Sequence, residues 1–597
     1  MFQYTLSFVA CATLVASLEA DTLQLNPIVV SASKIEQSLN NVTANINIIT
    51  AQELEEKHIT SVIDALRIPG NIAIAQSGGI GQQSSFFQRG FSSENTVIMI
   101  DGIRYNDPTT TKGQGQLEHL MVNDIERIEI IHGAQSGVWG ANAVAGVINI
   151  ITKKATDKLR MNGNLEYGSY ATTKAGANIS QKLGAFSYYL GVNQIRTDGI
   201  SAITPPHHNP DEYESDGYRN QTVNVKLGYD LSAQDTLRAQ MTLIDAKIDY
   251  DAYTQPDSTA NEIHQINRLG NIGYRHAFNA EDYIDATYAL TTFDKKDPLG
   301  YTTEFKGENR EFNLIGTFHY NADGSVVIGA NTLRSKDTIG IHKLNSQGLF
   351  ATNTNSIGSF VVTESIRRDT YDSFKDKTTG KIGAKYFLND DIVLSSNYGT
   401  AYRVPSLYEL YAGYYGNPNL QPETTKSLDA TVQYKHLSLT YYNNRVTNLI
   451  GYNPSTYVNE QVEGTSHLKG YEVRYSHTLS EAVAFDLAYN RLFAKDKDGN
   501  TLARRPQETV TGSLSYYPTE KLSLNANANY IGTRYDNTAK TVQTGRYTLF
   551  GAVVNYAVND NLALYLRGEN LGDKRYQEVS GYGTPGRSVY IGLTTKF

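Results

Sequence analysis

Past its first twenty residues the chain never gathers the ~18 consecutive apolar residues that a membrane helix needs. From about residue 157 onward it instead alternates apolar and polar side chains in one segment after another. Leu522, Leu524, Ala526, Ala528 and Tyr530 interleave with Ser523, Asn525, Asn527 and Asn529. Val510, Gly512, Leu514 and Tyr516 interleave with Thr511, Ser513 and Ser515, and Val589, Ile591, Leu593 and Phe597 with Ser588, Tyr590, Gly592, Thr594 and Lys596. A period of two gives a strand one apolar and one polar face. A soluble sandwich would show the same alternation with its apolar face inward. The polar face separates the two cases. Here it is Asn, Ser, Thr and Tyr with modest charge, which suits a wet lumen behind a lipid-facing band.

A second period supports the barrel. Short polar turns fall near Asn389-Asp390-Asp391, Lys435-His436, Ser480-Glu481, Pro518-Thr519-Glu520 and Asn559-Asp560. They recur at intervals of roughly 40 to 46 residues, enough for two spanning strands and one longer loop at the far end. Short turns on one side and long loops on the other are the asymmetry of an outer-membrane barrel. Residues 155–597 then hold 20 or 22 antiparallel strands, and 22 is the expected number. Tyr is abundant, at 42 against 19 Phe, and pairs such as Tyr188-Tyr189, Tyr441-Tyr442 and Tyr516-Tyr517 fit interfacial girdles.

Residues 35–154 read differently. Dense β-branched runs, Val97-Ile98-Met99-Ile100 and Val147-Ile148-Asn149-Ile150-Ile151, flank Asp101-Gly102, a tight-turn signal. A helix is expected from Gln52 to Leu66, with Glu53 and Glu55 near its positive end. This is a small α+β domain, and a barrel of this size has a lumen to be filled. Ahead of it, apolar Phe8 to Leu18 reads as the core of a signal peptide, residues 1–20, cut near Ala20. The alternative is a buried first helix. The single Cys, Cys11, excludes disulfides within the chain and sites built on several thiolates. A net charge of −8 with no basic stripe argues against nucleic acid.

Several motifs together resemble the TonB-dependent outer-membrane transporters. In the small domain these are Gln88-Arg89-Gly90, Val97 to Arg104, Ile125 to Gly133 and Ala145 to Thr152. In the barrel they are Tyr402-Arg403-Val404-Pro405-Ser406, Gly416 to Glu423, Glu569-Asn570-Leu571-Gly572-Asp573 and Pro585-Gly586-Arg587. His132 and Ala134 depart from the Arg and Pro usual there. The resemblance implies a plug domain inside the barrel and no enzyme activity. It implies energised import with TonB and the ExbB-ExbD complex as partners, outer-membrane lipid around the barrel, and a monomer. It makes residues 21–34 a TonB-box segment, with Ile28, Val29, Val30, Ser31 and Ala32 as the box. An extended apolar segment near a chain end can add a strand to a partner sheet. From the pattern alone it could equally be the first strand of the plug.

Within that family the resemblance is greatest to the cobalamin (vitamin B12) importers, carried by Gln76 to Ser85, Ser215 to Tyr218, Asp249 to Tyr253 and Tyr415 to Leu420. It implies a corrinoid ligand, met by Gln82, Ser84, Ser85, Thr111, Lys112, Tyr250 and Tyr253. It implies calcium ordering the outer loops through Glu214, Asp216 and Asp251, to which Asp211 and Asp257 are added as outlying carboxylates. A solvated acidic loop is the other reading of that cluster. The alternative cargo is a catecholate-type ferric siderophore, which is strongly anionic and wants clustered Arg or Lys. Gln76–Gln88 and Asn106–Leu117 together carry one Lys and no Arg. Arg89, Arg127, Glu423 and Glu569 are the expected plug–barrel charge pairs. A passive porin or an outer-membrane hydrolase fits less well, since a folded plug opposes an open pore and no nucleophile elbow, zinc HExxH or P-loop is present.

Overall fold

A computed structural model describes residues 28–29, 32–251, 255–257, 261–300, 302–337, 339, 342–453 and 456–597. The expected signal peptide, Val30, Ser31 and Tyr253 lie outside the described residues. Twenty-two antiparallel strands, β11 (Arg160–Gly168) to β32 (Ser588–Lys596), close into one barrel in sequence order. β32 completes the ring by pairing with β11, Leu593 opposite Leu165. Side chains alternate as the period of two requires. On β13 (Phe186–Ile200), Leu190 and Val192 face outward while Tyr189, Asn193 and Ile195 are buried.

That alternation splits the tyrosine pairs. Tyr441 and Tyr516 face outward as girdle residues would, but Tyr442 is fully buried against the plug. Tyr189 donates to Asp124 of the plug at 2.6 Å, and Tyr517 to Glu56 at 2.9 Å. Neighbours in a strand point to opposite faces, so only one of each pair can reach lipid.

The plug is built from β1 (Ile28–Val29), β2 (Gln37–Ser38), β3 (Ile46–Thr50), β4 (Ile72–Gln76) and β5 (Ser84–Gln88). It continues with β6 (Phe91–Ser92), β7 (Thr96–Ile100), β8 (Ile103–Arg104), β9 (Ile125–His132) and β10 (Gly146–Thr152). The main sheet runs β3-β9-β10-β7-β8, with β10 parallel to β7. β7 and β10 are buried on both faces, which accounts for their unbroken apolar runs. Their core includes Ile98, Ile128 and Ile148 together with the barrel residues Leu269 and Phe293. The plug is therefore packed into the wall, and its core is completed by the barrel.

The expected helix from Gln52 to Leu66 is two short ones, α1 (Ala51–Glu56) and α2 (Val62–Ala65). Thr50 caps the first and Ser61 the second, each side chain accepting a backbone N–H three residues on. Between them His58 takes a left-handed φ of 46°, which ends the first helix.

Candidate functional site

The outer end of the plug presents two loops. At the tip of the first, Gly81 has φ 82° and lies flat on Tyr218, where an added Cβ would come within 2.1 Å of the ring. Only glycine allows that approach. Gln82 and Ser84, expected to meet ligand, are turned inward. Gln82 donates to the Asp249 carbonyl at 2.6 Å and Ser84 to Glu118 at 2.7 Å. The alternation at this edge puts Gln83 and Ser85 outward instead, so Gln83 is the residue that sequence reading passed over. In the second loop Thr111 and Lys112 are exposed, and Thr111 is held through its carbonyl by the Ser406 hydroxyl at 2.8 Å. Tyr250 stands beside the outer loops with its hydroxyl on Asp297 at 2.6 Å.

Next to the first loop, Glu214, Asp216 and Asp251 bring one carboxylate oxygen each to within 4.8 Å of one another. Part of each shell is satisfied. Asp216 accepts the Ala202 N–H at 2.6 Å, and Asp251 accepts the Ile203 N–H at 2.7 Å. Glu214 Oε1 and Asp251 Oδ1 are buried with no hydrogen-bond partner among the described residues. Burial first, and then the Asp251 charge, push the Glu214 carboxyl up to about 7. Three carboxylates this close, two with an orphaned oxygen, are chemically suited to a hard divalent cation. Asp257 adjoins the cluster by accepting the Glu214 backbone N–H at 3.1 Å. Asp211 does not join it. It sits exposed in the turn Pro210–Glu212, with its own N–H on Asn209.

Four cations near the outward plug loops are matched by carboxylates, whereas Arg505 and the buried Arg534 are held by carbonyl and hydroxyl oxygens. Lys112 reaches Glu94 at 3.1 Å, and Arg104 reaches Glu311 at 3.8 Å. Arg367 is bound to Asp369 at 2.6 Å, and Arg403 to Glu409 at 2.8 Å and Glu423 at 2.7 Å. A cleft between the second loop and the barrel is lined by the neutral amides Asn106, Asn142, Asn309 and Asn331 together with the charged Arg104, Lys112, Arg367 and Asp369.

Of the four expected plug–barrel charges, only Arg89 bridges. Its guanidinium donates to both oxygens of Glu472 at 3.0 Å, with Asp429 at 3.9 Å. Arg127 binds Glu126 and Glu129 inside the plug, Glu423 binds Arg403 inside the barrel, and Glu569 binds Arg567. In each case an opposite charge on the same strand or the adjoining one lies nearer than the other domain. The plug is seated instead by Arg67–Glu578 and Lys226–Asp101, and by Asp124, which accepts from Tyr189, Asn193 and Asn224.

At the inner end, β1 pairs antiparallel with β2, Ile28 opposite Ser38 and Val29 opposite Gln37. Ile28 and Val29 of the expected box thus also form the first strand of the plug. Ala32 packs on a core cluster containing Val138 and Trp139. The Lys34 ammonium lies 4.9 Å from both the Trp139 and Phe350 ring centres. Desolvation there, and then the Arg367 charge, pull it down to about 7.

A closed barrel of 22 strands with a folded domain in its lumen is the architecture of a plugged outer-membrane barrel. The family described as TonB dependent receptor-like, beta-barrel, matches residues 152–571, and the TonB-dependent Receptor Plug Domain matches residues 38–147. The chain belongs to the TonB-dependent receptors, which work with TonB and bind a substrate ligand. It is 27% identical to the vitamin B12 transporter BtuB of Photobacterium profundum, over 97% of this chain and 96% of that one. Among solved structures it resembles the siderophore receptor PirA of Acinetobacter baumannii, with TM-score 0.80, 18% identity, and 92% and 98% of the two chains covered. It also resembles a point variant of the ferric enterobactin receptor PfeA of Pseudomonas aeruginosa in complex with enterobactin, with TM-score 0.79, 19% identity, and 93% and 99% covered. At those identities the structural likeness concerns the fold.

Proposed function

We propose that this receptor imports cobalamin or a related corrinoid across the outer membrane. TonB, energised by ExbB-ExbD, engages the box around Ile28 and Val29. The observation that carries the cargo reading is the pairing of Lys112, Arg104, Arg367 and Arg403 with carboxylates around the outward plug loops. A ferric catecholate carries several negative charges and needs cations that are not already compensated. A large, nearly neutral corrinoid is better met by the amides and charge-compensated cations of that cleft and by the outward Gln83, Ser85 and Thr111. The full-length relationship to a vitamin B12 transporter supports the same reading.

Calcium is the cation that fits the carboxylate cluster, through Glu214, Asp216 and Asp251, with Asp257 alongside. It would tie the segment before β14 (Asp216–Asp230) to the loop after β15 (Asp235–Asp249) and so pre-order both for ligand. Calcium at a hundred times its Kd should raise stability by ~2.7 kcal/mol. Asp251→Ala should remove that increment and weaken ligand binding, with thermal unfolding in calcium and in chelator as the measurement.

Titration of purified protein with cyanocobalamin and with ferric enterobactin tests the cargo. Cyanocobalamin should bind roughly a hundredfold more tightly, a gap of ~2.7 kcal/mol. The reverse order would make the chain a siderophore receptor.

A further inference from the structure

The plug does not fill the lumen evenly. On one side it is packed closely, apart from the small cleft containing Asn309 and Asn331. Ile98 and Ile100 share a core with Leu269 and Phe293, Arg104 reaches Glu311, and Gly137 touches Ser365. On the other side a cavity of about 330 Å³ runs down between plug and wall. Its outer end is lined by Gly78, Gly79 and Ile200, and its inner end by Glu53, Lys57 and Asp486.

The wall here is formed chiefly by β27 (Val483–Lys495), β28 (Glu508–Thr519), β29 (Leu522–Ile531), β30 (Tyr547–Asn559) and β31 (Leu562–Glu569), and is completed by Tyr590 of β32, Glu166 of β11 and Ile195 of β13. It offers the cavity small or amide side chains, among them Ala488, Thr511, Ser513, Asn527 and Gly551, and the charged Asp486, Arg567 and Glu569. Among the described residues, no hydrogen bond joins the plug to the side chains of Thr511, Ser513 or Asn527.

A second cavity of about 440 Å³ lies below, beside the short turns, lined by Glu55, Lys153, Asn162 and Lys596. Ile59 borders both cavities, and the end of α1 with Lys57 and His58 forms the partition between them. The partition is held to the wall by a few polar contacts. Asn555 donates to the Glu56 carbonyl at 3.0 Å, and Tyr517 to the Glu56 carboxylate at 2.9 Å. His58 Nε2 meets Asn555 Oδ1 at 2.6 Å, and its ring stacks on Tyr565 at 3.4 Å. Such contacts exchange readily for water, unlike the core that Ile98 and Ile100 share with Leu269 and Phe293 on the opposite wall.

The geometry points to a preformed permeation corridor along β27 to β31, closed at its inner end by the α1–His58 segment acting as a gate. This rests on the import role of the family and not on which cargo is carried. Cargo taken up at the outer loops passes down this wall once the gate segment leaves Asn555, Tyr517 and Tyr565. The packed wall stays seated.

Two arms test it. The first needs no cargo. Tyr517→Phe combined with Asn555→Ala in the full-length protein should give conductance steps in planar bilayers that the parent lacks. Adding Ser513→Trp should abolish them. Absence of steps, or steps indifferent to Ser513→Trp, would overturn the corridor. The second arm pins the plug. A Cβ at Gly70 would lie 3.2 Å from that of Ala488, on the corridor side, and one at Gly137 would lie 3.5 Å from that of Ser365, on the packed side. Both separations are near the span of a disulfide. Gly70 has a left-handed φ of 75°, so the reduced form of the same variant is its own control for strain. Oxidised Gly70→Cys with Ala488→Cys should cut uptake of labelled cyanocobalamin at least tenfold, reversibly. Oxidised Gly137→Cys with Ser365→Cys should leave uptake within twofold. Loss with both pins means the whole plug moves, and loss with neither means the route lies elsewhere; either overturns the proposal. Cyanocobalamin failing to bind the parent protein would sink the cargo reading while the conductance arm still decides the corridor.

Discussion

Val29→Pro, or a proline at the next position, is expected to abolish energised import while leaving ligand affinity within about twofold. The box must offer a run of backbone N–H and C=O groups to a partner sheet. Proline removes a donor and fixes φ, so it breaks such a ladder without touching the outer loops. In the structure this backbone already has a partner within the plug. Val29 pairs with Gln37 in a strand pair of only two residues each, which must open before TonB can pair there. A pair that short has little to hold it, so exchange between plug and partner is inexpensive. Proline weakens both states, yet only the partnered one is needed for import. Whole-cell uptake should fall to the level of a strain lacking TonB, while ligand binding to the same cells persists. Uptake near the parental rate would remove the box assignment.

The barrel was legible in the sequence because a period of two is a local property. Leu522 and Ser523 meet lipid and lumen whatever the rest of the chain does. The strand count followed from turn spacing for the same reason. Placement of side chains across the plug–barrel seam was less legible. Arg127 and Glu129 are two apart on one strand and so share a face, as do Arg567 and Glu569. Arg403 and Glu423 are register partners on neighbouring strands. These short-range neighbours capture charges that a motif alone would assign to the other domain. Glu472, Glu578 and Asp124 carry seam contacts but stand in no motif. The ligand loops show the same limit. Ser84 and Ser85 are equivalent by composition, and only the strand direction at Gln83–Ser85 decides which hydroxyl faces out. The three-carboxylate cluster was readable in part. Glu214 and Asp216 are close in sequence, but Asp251 joins them and Asp211 does not because adjacent strands bring their loops together.

Arg89 is where the seam should be most sensitive. It is 2% exposed, adopts a left-handed φ of 48°, and grips Glu472 through two hydrogen bonds, with Tyr442 4.8 Å beneath its guanidinium. Arg89→Ala leaves Glu472 and Asp429 buried without their cation. Breaking a buried pair from one side costs ~3–5 kcal/mol, much of it the stranded charge itself. The expected phenotype is a loosened plug: lower thermal stability, faster protease cleavage between residues 35 and 154, and ion conductance that the parent lacks. Adding Glu472→Gln and Asp429→Asn removes the stranded charges and should recover at least half of the lost stability. The cycle separates two roles. If the network matters only for plug seating, the neutral triple variant regains both stability and uptake. If Arg89 also sets the register in which plug and barrel meet, stability returns while uptake stays low. Should Arg89→Ala alone leave stability, protease resistance and conductance unchanged, the pair carries no weight, and the seam is held by Arg67–Glu578 and the Asp124 cluster instead.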